Sequence, residues 1–182
     1  RAMKHFSEVT DPAEMNCRAV LIVLDKIAAS RSFNNYRERQ ITPAQLRVHA
    51  DTARALDLVT ETQKGDILII AAQLGMRHRD KSVCQAREVF VANEFGLGSL
   101  AVGSIILTHP KRLVRWEKLG MYCSGDEFSP GADGAFSRSP FFDFYGSVVE
   151  FGTRFVDNPN ERFGSVSGFL PQESILEVLT SC

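Results

Sequence analysis

Very little in this 182-residue chain names a chemistry outright. Its four cysteines, Cys17, Cys84, Cys123 and Cys182, are widely spaced and form no C-x-x-C pair. That removes the usual zinc framework, and no metal site or cofactor is expected. Free, mostly buried thiols are the expectation, although an even count leaves disulfide pairing open. Long apolar runs are missing too, because Asp25 and Gln73 interrupt the longest ones. Nothing approaches the roughly 20 apolar residues that a membrane-spanning helix needs. Neither sign of charge is in excess: the formal net charge is -1, which gives no general attraction to nucleic acid or to an anionic membrane. The polar start Lys4-His5-Phe6-Ser7-Glu8 does not resemble a signal peptide, and the cytoplasm is the expected compartment. Repeats are absent, since Asp11-Pro12-Ala13-Glu14 and Thr42-Pro43-Ala44-Gln45 are followed by unrelated residues.

What is present is a chain that is 44% hydrophobic, enough to bury a core without covalent staples. Three segments place a capping residue three positions before Glu or Gln: Asp11 to Glu14, Thr42 to Gln45 and Ser82 to Gln85. The first two add proline at the first helical position. These predict helices to about Ser30, from Pro43 to about Thr60, and from Ser82 to Phe95 with a stop at Gly96. The apolar stretch from Asp66 to Leu74 fits a short buried helix better than a strand. Beyond Ser99 the pattern turns to strands, at Leu100 to Leu107 and in the clean alternation of Val148 to Val156, with a hairpin around Gly146. Ser124 to Pro140 and Asn158 to Gly168 read as long loops, and Pro171 to Thr180 as a closing helix. The expected fold is α+β: one domain with an N-terminal helical layer of about four helices over 1–96, packed on a small, mostly antiparallel sheet over 97–170, and closed by a helix in 171–182.

Charge, backbone donors and a potential nucleophile converge at one place. Arg77, His78, Arg79, Lys81, Ser82 and Arg87 surround a helix start that carries Cys84 in its first turn, and such a start favours a thiolate or a bound anion. Arg87 follows Cys84 too closely for the phosphatase spacing, and no glycine-rich cradle intervenes. Cys17, with His49 or His109 as base, offers a cysteine-hydrolase pattern, although its apolar stripe favours core packing. Asp126, Glu127 and Asp133 gather beside turn residues but miss the spacing of a calcium loop. Nine of the thirteen phenylalanines lie between Phe128 and Phe169. If Phe141, Phe142 and Phe163 are exposed, they and Trp116 form a protein-binding patch.

The residues therefore point first to a non-catalytic binding or interaction protein, with a protein partner on the aromatic half or a small anion at the basic loop. A thiol-dependent or anion-handling enzyme centred on Cys84 comes second. The Cys17 hydrolase comes third.

Overall fold

Asp11 stands before Pro12 as a helix cap should: its carboxylate accepts from the Ala13 N–H, and helix α1 runs Pro12–Ser30 with Cys17, Val20, Val23, Leu24 and Ile27 buried. In the computed structural model, which describes residues 9–64, 69–115 and 117–171, strands β1 (Phe33–Asn35) and β2 (Leu46–Val48) follow, then α2 (Ala50–Thr62), β3 (Ala71–Arg79), α3 (Val83–Glu88) and β4 (Glu94–Gly96). The chain continues through α4 (Ser99–Thr108), β5 (Gly120–Tyr122), β6 (Asp126–Phe128), β7 (Arg138–Tyr145), β8 (Val148–Phe155) and β9 (Phe163–Phe169).

All nine strands join one sheet of order β1-β8-β7-β5-β9-β3, with β4 on β9 and with β6 between β2 and β7. The sheet is mixed, because β1 runs parallel to β8 and β5 parallel to β9. The small antiparallel sheet under a four-helix layer is thus corrected: strands run through both halves, and β1, β2, β3 and β4 lie in the part expected to be helical. α1 and α4 pack together, and their apolar faces join Met121, Cys123, Phe128, Phe142, Val149, Phe151 and Val166 in the main core. No helix among the described residues is long and apolar enough to cross a membrane.

Local signals account for what formed as read. The β7–β8 hairpin turns through Gly146 and Ser147, both at positive φ of 57° and 70°, the conformation of a type I′ turn. Tertiary pairing accounts for what did not. Thr42 to Gln45 makes a turn, with the Gln45 and Leu46 N–H groups on the Thr42 carbonyl, so that β2 can pair with β6. Helix α2 starts later, where His49 Nδ1 accepts from the Asp51 N–H. The helix from Ser82 stops at Glu88 because Glu94–Gly96 pairs with β9. The apolar run 100–107 is helical, burying Ser99, Val102, Gly103 and Ile106. A Cβ on Gly103 would lie 2.6 Å from Val23, which is how α4 seats closely on α1. Residues 71–74 are strand, the proposed loops contain β6 and the starts of β7 and β9, and the expected closing helix lies outside the described residues.

At the centre, Gly96-Leu97-Gly98 packs backbone to backbone on Ser124-Gly125-Asp126. A Cβ on Gly125 would meet the Gly96 carbonyl oxygen at 2.5 Å, so only glycine fits. Helix α4 has Gly98 at its cap position and therefore no capping side chain of its own. Asp126 supplies one from across the junction, its Oδ2 accepting from the Ser99 N–H at 2.6 Å.

Candidate functional site

Ser82 builds the capping box expected of it. Its hydroxyl accepts from the Gln85 N–H at 3.1 Å, and Gln85 Oε1 accepts from the Ser82 N–H at 3.0 Å. The helix it starts has only six residues, and the Cys84 N–H donates to the Val156 carbonyl at 2.9 Å instead of facing an open site. Arg87 is also engaged: its Nε and Nη2 reach the Ser124 carbonyl at 3.0 and 2.8 Å, and Nη2 reaches the Asp126 carbonyl at 3.2 Å. Burial raises the Cys84 thiol pKa above its ordinary value, although Arg87 opposes the shift. Cys84 is accordingly expected to alkylate slowly at neutral pH. Peptide-resolved alkylation across pH checks this, and fast modification of Cys84 alone well below about pH 8 would refute it.

The basic residues before this helix do not gather into one patch. Arg77, His78 and Arg79 lie on β3, where side chains alternate between faces, so that Arg77 and Arg79 are exposed while His78 is 2% exposed. β3 bulges against β9 between Leu74 and Arg79. Gly75 turns there at a φ of 94°, where a Cβ would sit 2.8 Å from the Gly164 carbonyl oxygen. Inside the bulge His78 Nε2 lies 2.6 Å from Glu94 Oε1, and the Ser167 hydroxyl donates to the same oxygen. Gln73 donates to Ser167 in turn, and Arg77 Nε approaches Glu94 Oε2 at 3.2 Å across the surface. Burial works to raise the Glu94 pKa, but the bonds from Ser167 and His78 outweigh it and hold the carboxyl below its ordinary value. The carboxylate is therefore the acceptor, and Nε2 carries the hydrogen. Sequence reasoning missed Glu94 and Ser167, for which no local motif exists.

Glu94 and Arg87 also line a cleft of about 440 Å³ between α2 and the α3–β4 segment, with His49 and Arg54 on its far wall and Phe90, Phe95 and Leu170 as apolar lining. Arg79 faces a different and larger opening of about 720 Å³ at the end of β3. There it stands with Arg112, Lys118 and Arg162, against Glu117 and Glu161, over Leu74, Met76 and Leu119. Arg112 is half-buried, and its Nη2 donates to the Leu74 and Leu119 carbonyls at 3.0 and 3.2 Å. Burial alone lowers its pKa, and it forms no ion pair with a carboxylate among the described residues. Lys81, beside Ser82, lines neither opening.

Cys17 is buried, donates to the Leu46 carbonyl, and has its thiol pushed up to about 11, chiefly by burial. His49 caps α2 and His109 ends α4, and neither hydrogen-bonds to Cys17. Phe141, Phe142 and Phe163 are buried, the first and third stacking around Tyr122 and Val83 and the second in the main core. They offer no exposed patch, since alternation on β7 sends Phe141 and Phe142 to opposite, equally covered faces of the sheet. Trp116 lies outside the described residues. Cys17, Cys84 and Cys123 are free thiols, and no cluster of three metal-ligating side chains occurs among the described residues. Comparison with protein-family models, with curated proteins and with solved structures gives no match, which leaves the geometry of these two openings as the guide to function.

Proposed function

We propose that this is a non-catalytic binding protein that takes an anionic partner in the opening at the end of β3. Arg112 is the observation that carries the reading. A half-buried guanidinium without a carboxylate leaves part of its desolvation uncompensated, and an anion seated beside it restores what solvent had supplied. Arg79 and Lys118 add positive charge at the rim, where it steers an approaching anion more than it tightens the complex. The opening is large enough for an extended acidic segment, not merely a single ion, and its apolar floor of Leu74, Met76 and Leu119 would hold the non-polar parts of such a segment. Binding is favoured over thiol chemistry because the Cys17 and Cys84 thiols are both shifted toward the unreactive protonated form.

Titration calorimetry with a short polyglutamate peptide at low salt tests this. Binding should weaken as salt rises, and reversing both rim charges with Arg79→Glu and Lys118→Glu should weaken it about tenfold while leaving the fold intact. Equal affinity of the reversed variant would place the peptide elsewhere, and heat-free titrations would remove the reading altogether.

A further inference from the structure

Parallel pairing sets Phe33, Asn34 and Asn35 of β1 level with Val149, Glu150 and Phe151 of β8, and the Tyr36 N–H carries the ladder on to the Phe151 carbonyl at 2.9 Å. Beyond that bond the chain turns through residues 36–39, with the Gln40 N–H on the Arg37 carbonyl, while Thr153 of β8 lies on the face that carries Val149 and Phe151. On the other side of β8, Arg138 of β7 lies opposite Phe155, and Pro140 opposite Thr153. Thr153 and Arg138 thus share one face of two adjacent strands at the rim of the main core, and Arg37 reaches that rim from the turn after β1, over Phe128, which lies opposite Arg138 on β6. Their side chains are held by packing: the Arg37 guanidinium lies 5.4 Å from the centre of the Phe128 ring, and that of Arg138 lies 4.3 Å from the centre of the Phe155 ring.

Each of these three residues keeps a buried polar atom without a partner among the described residues: Arg37 Nε, Arg138 Nε and Thr153 Oγ1. Among the described residues the Arg37 side chain makes one hydrogen bond, from Nη1 to Gln40 Oε1 at 3.2 Å. No carboxylate forms an ion pair with either arginine among the described residues. The Arg37 guanidinium sits over Phe128, the residue directly opposite Arg138, which brings the two cations near each other, and burial together with the Arg138 charge lowers the Arg37 pKa. Two like charges, partly desolvated and with unused donors, raise the free energy of the folded chain unless something of opposite charge lies between them.

We propose that Arg37, Arg138 and Thr153 form a binding site for a phosphate-class oxyanion. A dianion would neutralise both guanidiniums, and its several acceptor oxygens would satisfy all three orphaned donors through charge-assisted bonds. Phosphate suits the pair better than a single carboxylate, whose lone charge leaves one cation uncompensated. The phosphoryl group could be free inorganic phosphate or a monoester on a larger ligand, and the same donors would hold it in either form. This site lies apart from the opening at the end of β3, with no residue in common.

The test is titration calorimetry of the full chain with inorganic phosphate and with phenyl phosphate, at ionic strength matched with chloride. Wild type should bind phosphate, and Arg37→Gln, Arg138→Gln and Thr153→Val should each weaken it, the arginine variants about tenfold or more. Without phosphate, Arg138→Gln should unfold at a higher temperature than wild type, because one of the two repelling charges is gone; saturating phosphate should close that gap. The Arg79→Glu, Lys118→Glu variant should bind phosphate as wild type does, which separates this site from the β3 cleft. Tighter binding of phenyl phosphate would identify a monoester as the ligand form, and equal binding the free ion. Phosphate affinity unchanged in both arginine variants, or no phosphate binding by wild type, would overturn the proposal.

Discussion

Glu94→Leu should lower the stability of the fold by about 3 kcal/mol or more in urea unfolding at neutral pH, the cost expected when one partner of a buried ionic cluster is removed. The leucine fills the volume but accepts nothing. His78, whose ring is 3% exposed and already leaves Nδ1 unpartnered, would then have no acceptor at Nε2 either. Ser167 would lose its acceptor, and Arg77 its surface partner. Adding His78→Leu to Glu94→Leu should recover much of the loss, because replacing all the polar members by apolar groups leaves fewer orphans than removing one. The pH dependence has a definite sign. Glu94 is held below its ordinary pKa, so its contribution is present above the unfolded value near 4.5 and is lost as pH falls through the lower folded one. A single variant within about 1 kcal/mol of wild type would show that water, not Glu94, satisfies this cluster.

Such a cluster is invisible in the chain because its members are 16 and 73 residues apart and each is ordinary where it stands. The legible parts of the fold are those fixed by near neighbours: Asp11-Pro12 at the start of α1, the Ser82–Gln85 box, and the Gly146–Ser147 turn between two alternating runs. The basic loop was legible as charge but not as geometry. Once Ala71–Arg79 is a strand, Arg77, His78 and Arg79 must alternate between faces, so a run of cations in sequence disperses in space. Three-residue strands such as β2 and β4 exist only through pairing with β6 and β9, and propensity carries no trace of them. The apolar run of α4 fits a buried helix and a buried strand equally well by composition, and only its seat on α1 decides. The unpaired arginines escaped notice for a similar reason. Arg37 and Arg138 become neighbours through Phe128 of β6, which lies far along the chain from Arg37.

Asp126 reads as part of a polar turn, yet it is 2% exposed, and substituting it should produce a swing in stability that depends on pH. Burial pushes its carboxyl from the ordinary 3.8 up to about 6, against the opposing pull of Ser99 and the charge of Arg87. A folded pKa above the unfolded one means that the folded state holds its proton longer. Stability is therefore greatest below the unfolded value, declines as pH rises towards 6, and is level beyond it, at a cost of about 3 kcal/mol at pH 7. Asparagine keeps an oxygen for the Ser99 N–H that starts α4 and removes the titration. Its buried amide hydrogens carry a penalty of their own, but that penalty does not change with pH. The difference between Asp126→Asn and wild type should consequently move by about 2 kcal/mol in favour of the variant between pH 4 and pH 7, read from urea midpoints at constant slope. Glu94 and Asp126 thus oppose each other: Glu94 gains from ionisation because His78 and Ser167 meet it, whereas Asp126, wedged against Gly98 with one backbone amide, loses by it. A difference that stays constant across that range would mean Asp126 titrates as it does in the unfolded chain, and that the glycine junction admits enough water to solvate its charge.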